Sequence, residues 1–170
     1  MLKKENIYTL IGFKLTWTSC VFGEIYISSW FGFSIGIFYL MIFFILQNEK
    51  KRSFYIILIF SLLGYTFDSI LSYLDIYKIN ADNNFLFLPI WFLVLWPSFS
   101  SLFVNILVFL KQKTFLSIFL GFVIGPMSYY AGLKLGLANV NSYITSFFSI
   151  AFFWSLLMFL YSNNFIKVNR

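Results

Sequence analysis

Asp68 is the residue of this 170-residue chain whose chemistry most needs explaining, because it lies well inside the apolar run 54–74. A carboxylate at such depth costs several kcal/mol unless it is paired, protonated or wetted. It therefore serves either to clamp two helices or to meet a proton, a cation or a substrate, and the sequence leaves both open. Ser128, Tyr129, Tyr130 and Lys134 form a second group, two hydroxyl-bearing residue types and a cation that together suit a phosphate or a carboxylate. Trp17, Cys20 and Glu24 form a third, since steps of three and four place them on one helical face.

These groups suffice for proton transfer or for holding an anionic head group, and they are thin for most enzymes. The chain has no histidine. The usual haem and di-iron membrane proteins, Ser-His proteases and HExxH zinc enzymes therefore do not fit. No Gly-Lys-Thr phosphate loop is present. Three Asp and three Glu, with Asp68 alone lying deep, make no hard-cation cage. Cys20 is the sole cysteine, so neither an internal disulfide nor a cysteine metal cage can form. No metal and no cofactor are expected, and a binding role is favoured over an enzymatic one.

The elements that must position these residues are long apolar runs, at about 7–23, 27–46, 54–74, 85–110, 115–133 and 143–161. A membrane crossing needs roughly 20 such residues. The prediction is an all-α, polytopic membrane helix bundle of about six transmembrane helices, forming a single domain over 1–170. Hydrophobic residues make up 61% of the chain and charged ones 11%, against roughly 45–50% and 25% in soluble domains. The runs are continuously apolar instead of alternating, which disfavours a membrane β-barrel. The segment 1–23 imitates a signal peptide, but Lys14 interrupts its apolar part, and it is read as a retained first span.

Basic residues mark the orientation. Lys3, Lys4, Lys50, Lys51, Arg52, Lys111, Lys113, Lys167 and Arg170 fall on alternate helix ends, and only Lys78 and Lys134 on the opposite ones. The positive-inside rule then places both termini in the cytoplasm of a bacterial inner membrane. Lys14, within the first span, is close enough to the interface to snorkel. No basic cluster is interleaved with stacking aromatics, so a nucleic-acid role is excluded.

Small residues predict where helices approach. Gly32 and Gly36 form one GxxxG pair, and Gly121/Gly125 and Gly132/Gly136 form two more around Pro126. Pro126 is expected to bend or interrupt its helix. Gly64 belongs to a small-and-polar stripe with Ser61, Asp68, Ser72 and Asp75. Trp91 reads as an interfacial anchor, Trp96 and Pro97 as residues shaping a cavity or kink, and Asn105 as an interhelical hydrogen-bond partner.

The order Trp17-x-x-Cys20, Leu63-Gly64-Tyr65-Thr66-Phe67-Asp68, Leu88-Pro89-Ile90-Trp91 with Leu95-Trp96, and Gly125-Pro126-Met127-Ser128-Tyr129-Tyr130-Ala131-Gly132-Leu133-Lys134-Leu135-Gly136 resembles a family of uncharacterised small proteobacterial inner-membrane proteins, a domain of unknown function. The resemblance implies membrane location and several spans, and no activity. Genes of such proteins near fatty-acid-modifying enzymes hint at lipid.

The reading that follows is a polar pocket in the outer leaflet, with Asp68 and Lys134 as charge partners or as two ends of a ligand clamp. It would bind or move a small amphipathic or lipid-like molecule. An accessory subunit docked on a larger membrane enzyme or transporter is the alternative, and a lipid-modifying enzyme using Asp68 and a tyrosine a third. The expected partners are the lipid bilayer, the lipid-like molecule and a membrane protein.

Overall fold

The computed structural model describes residues 4–163. The basic residues Lys3, Lys167 and Arg170 lie outside this range. Six α-helices dominate: α1 (Lys4–Tyr26), α2 (Ser29–Leu46), α3 (Lys50–Tyr73), α4 (Phe92–Asn105), α5 (Thr114–Lys134) and α6 (Tyr143–Ser162). Four two-residue strands join them: β1 (Lys78–Ile79), β2 (Asn84–Phe85), β3 (Leu88–Pro89) and β4 (Ala138–Asn139). Helices α2, α3, α5 and α6 are long and apolar enough to cross a membrane. The described residues gather into two compact units, 4–66 with 81–108, and 67–80 with 109–163.

In the first unit a two-residue turn joins α1 to α2, which makes them antiparallel neighbours. Their contact is built from small residues. The buried face of α1 is Thr9, Gly12, Thr16, Cys20 and Gly23, and that of α2 is Ser29, Gly32, Gly36, Tyr39 and Phe43. A Cβ on Gly32 would run into the backbone of Cys20. One on Gly12 would meet the Tyr39 ring, and one on Gly36 the side chains of Val94 and Thr16. Gly64 gives the same clearance to the Trp96 indole. Phe60 and Phe103 stack with centroids 4.1 Å apart.

In the second unit α5 and α6 pack through Gly121 and Gly125, which face the backbone and indole of Trp154. Phe67 and Phe153 stack with centroids 3.8 Å apart. β1 pairs antiparallel with β4, Lys78 opposite Asn139 and Ile79 opposite Ala138. The Ser146 hydroxyl donates to the Ile76 carbonyl at 2.6 Å, which fixes the chain leaving α3.

Three expectations are corrected. The span at 85–110 is not one continuous helix: β2 and β3 pair as a hairpin, with Leu86 at φ +57°, before α4 begins. The fourteen residues of α4 rise only about 21 Å, short of the ~30 Å hydrocarbon layer. α5 runs unbroken past the buried Pro126, since proline's φ is helical and the lost donor is a single one. Gly136 lies outside α5, with φ +76° and nothing within 4 Å of a Cβ built on it. There it closes the helix, its N–H on the Leu133 carbonyl and that of Leu137 on Gly132, a Schellman-type ending that needs a left-handed residue.

Gly32→Val is expected to destabilise the protein by about 1–3 kcal/mol, because the Cys20 backbone cannot retreat from an added side chain. Thermal unfolding in detergent reads this as a lowered midpoint.

Candidate functional site

Asp68 sits in the last turns of α3, which places it about 8 Å from the helix end at 1.5 Å per residue. It is 3% exposed. Tyr129, at the matching level of α5, donates its hydroxyl to Asp68 Oδ1 at 2.5 Å. Tyr77 approaches from the loop after α3 and donates to the Tyr129 carbonyl at 2.8 Å, its ring edge-on to that of Tyr129. Gly132 admits Tyr77, because a Cβ there would stand 2.8 Å from the phenol oxygen. The Trp154 indole lies beside the Tyr129 hydroxyl. Leu71, Ala138 and Ile150 complete an apolar surround.

The arrangement gives a carboxylate held by a phenol inside an apolar shell. It can take up a proton, or accept from a hydroxyl or ammonium that displaces Tyr129. Burial, and second the Asp68 carboxylate, push the Tyr77 phenol well above its ordinary 10.0.

The other candidates of this unit lie apart from Asp68. Lys134 is exposed and makes no ion pair with Asp68; its Nζ stands 5.3 Å from the Tyr130 ring centroid, a cation–π contact. The helix geometry explains it: Tyr130 and Lys134 are four residues apart and share a face. Ser128 is exposed and donates to the Gly125 carbonyl at 2.7 Å, within its own helix. The expected pairing of Asp68 with Lys134 is thus replaced by Asp68 with Tyr129.

The first unit holds the remaining candidates. Glu24, half-buried at the end of α1, accepts from Ser29 Oγ at 2.6 Å, Trp91 Nε1 at 2.8 Å and the Asp82 N–H at 3.2 Å. Trp91 is therefore more than an interfacial anchor. Cys20 is fully buried under Gly32, and Trp17 lies half-buried off the small-residue stripe. The buried Trp96 ring covers Gly64. Asn105 donates to Thr9 Oγ1 at 2.9 Å, joining α4 to α1.

Around Asn105 is a polar network that the sequence reading did not assemble. Tyr39 and Ser101 share a 2.6 Å hydroxyl bond, and Ser101 donates to the Ser98 carbonyl at 2.6 Å. Ser61 Oγ reaches Ser100 Oγ at 3.3 Å. Thr16 Oγ1 and Ser98 Oγ, on residues that are 0% exposed, have no hydrogen-bond partner among the described residues. An unpaired buried hydroxyl costs about 1–3 kcal/mol. The signal that could have found this network is the four- and seven-residue spacing of Thr9, Thr16 and Cys20. Tyr77 and Trp154 carried no such signal. Among the described residues no group of Asp, Glu, Cys or His is placed to hold a metal ion.

The fold and these sites define a mostly helical protein with several membrane-compatible helices. The chain belongs to the family described as "Protein of unknown function (DUF2878)", whose model matches residues 6–160. No curated protein and no solved structure matches it.

Tyr129→Phe is expected to cost about 1–3 kcal/mol, the range for removing one partner of a buried polar pair, read from denaturant unfolding in detergent. Tyr77 is kept neutral by the fold while the unfolded chain ionises near 10.0. Its contribution is therefore full below that pH and is lost as pH rises above it. Tyr77→Phe should flatten the alkaline fall in thermal stability, measured against the wild type between neutral pH and pH ~11.

Proposed function

We propose that this is a multi-pass protein of the bacterial inner membrane, with both termini in the cytoplasm, that binds or moves a small amphipathic or lipid-like molecule. The Asp68–Tyr129 pair is its polar contact. Four apolar helices support the membrane reading. Lys4 opens α1, Lys50, Lys51 and Arg52 open α3, and Lys111 and Lys113 precede α5, so the basic residues recur at alternate ends of successive helices. That is the pattern of a positive-inside topology.

The observation that carries the ligand reading is the burial of Asp68 at 3% exposure with a phenol donating to it at 2.5 Å. An ionisable group kept within apolar helices is costly and is retained where it has work to do. Tyr129 would yield the carboxylate to a ligand hydroxyl or ammonium, while the ligand's tail lies along neighbouring apolar side chains. Lys134, exposed over Tyr130, suits an anionic head group arriving from the interface.

The test is binding of a fluorescent fatty acid and of a fluorescent phospholipid to the purified chain in mild detergent. The wild type should retain one of them, and Asp68→Asn should weaken it about tenfold, a change of ~1.4 kcal/mol. Equal binding by a folded Asp68→Asn variant, or no binding by the wild type, rejects the site.

A further inference from the structure

The tip of the β2–β3 hairpin in the first unit takes no part in the Asp68 site. Phe85, Leu86 and Phe87 follow one another there and are 48%, 73% and 51% exposed. Three consecutive exposed apolar residues suit a water-facing turn only where something apolar receives them. The backbone adds a second argument. Leu86 is the first of the two residues joining β2 to β3, and it stands at φ +57°. Glycine, asparagine or aspartate ordinarily fills such a corner, because a bulky side chain is strained there. A leucine kept at that corner and left exposed is explained by what its side chain meets, not by the turn.

The hairpin is firmly held. Glu24 pins both of its approaches, accepting the Asp82 N–H at 3.2 Å on the way in and Trp91 Nε1 at 2.8 Å on the way out. The Asn83 carbonyl takes the Ile90 N–H at 3.0 Å. The Phe85 carbonyl takes the Tyr65 hydroxyl at 2.9 Å. Leu88 and Pro89, which form β3, are fully buried.

These ties also set its depth. Asn48 donates to the Glu5 carboxylate at 3.3 Å, so α1 and α3 start at nearly one level. From residue 5 to Glu24, α1 rises roughly 28 Å, close to the ~30 Å of hydrocarbon. From Lys50 to Tyr65, α3 rises roughly 22 Å. Helical side chains tilt toward the helix N-terminus, so the Phe85 carbonyl is held at or below the Glu24 level. The polar residues Asp82, Asn83 and Asn84 precede an apolar triplet that stands where the hydrocarbon ends.

We infer that this hairpin is an interfacial anchor whose Phe85, Leu86 and Phe87 side chains enter the acyl-chain boundary of the leaflet at the Glu24 end of the first unit. Lipid is the occupant because of that depth. The seat is shallow, since hydrocarbon offers no partner for the carbonyls of a turn. At the head-group boundary the backbone keeps its water while the side chains go in. The anchor rests on the membrane reading given above and is independent of the Asp68 site.

The test uses the full chain in vesicles of phosphatidylethanolamine and phosphatidylglycerol, with a nitroxide attached in turn to Asn83→Cys, Leu86→Cys, Phe87→Cys and Phe38→Cys. Cys20 is fully buried and stays in place, and the wild type taken through the same labelling sets the background. Phe38, exposed midway along α2, is the bilayer reference. Collisions with oxygen, which concentrates in hydrocarbon, are compared with those of a water-soluble nickel chelate. Labels at positions 86 and 87 should show an oxygen-to-nickel ratio several-fold above that at position 83 and approaching that at position 38. Each variant changes one exposed side chain, so if either tip variant fails to fold the other decides. Tip ratios equal to that at position 83, with position 38 shielded from nickel, overturn the anchor alone. Nickel access at position 38 as well overturns the membrane reading and the anchor with it. Tip labels closed to both reagents would mean that protein covers the hairpin, which also overturns the anchor.

Discussion

A polar group inside an apolar helix has to be met by another part of the chain, and much of the described structure answers that requirement. In the second unit the demand is sharpest at Asp68, where the carboxylate is 3% exposed. Tyr129 meets it directly, and Tyr77 in turn meets the Tyr129 backbone. The position of Tyr77 depends on the loop after α3, which is tied down by Ser146 and by the pairing of β1 with β4. One buried carboxyl group thereby connects to a phenol, a loop and a two-stranded ladder.

The first unit meets the same requirement with neutral groups. Tyr39, Ser101, Thr9 and Asn105 satisfy one another across α1, α2 and α4. This exchange needs short distances, and short distances need small residues at the crossings. Gly32 lets Cys20 close in, Gly12 admits the Tyr39 ring, and Gly36 admits Val94 and Thr16. Lys14 is exposed, as a long side chain carrying a hydrated ammonium should be.

Chain reversals obey local rules instead. Gly136 accepts the left-handed backbone that closes α5, and glycine does so without the steric cost that a Cβ brings. Asp75 at φ +53° and Leu86 at φ +57° take similar conformations beside β1 and β2. These short reversals shorten the fourth helix, where continuous apolarity over 85–110 suggests a full crossing.

Helix content and membrane-compatible length were legible from composition and apolar run length alone, because both follow from local transfer free energy. So were the tight faces around Gly32 and Gly121, since small residues at helical spacing mark close approach. The partner of Asp68 was not. Lys134 has the complementary charge, yet the rotation of α5 carries it to the exposed face over Tyr130 and brings Tyr129 inward. Trp91 reached Glu24, and Tyr39 reached Ser101, across 67 and 62 residues of sequence. Such pairings depend on helix rotation and register, which are set by the packing of all neighbouring side chains together, so only the tertiary structure decides them.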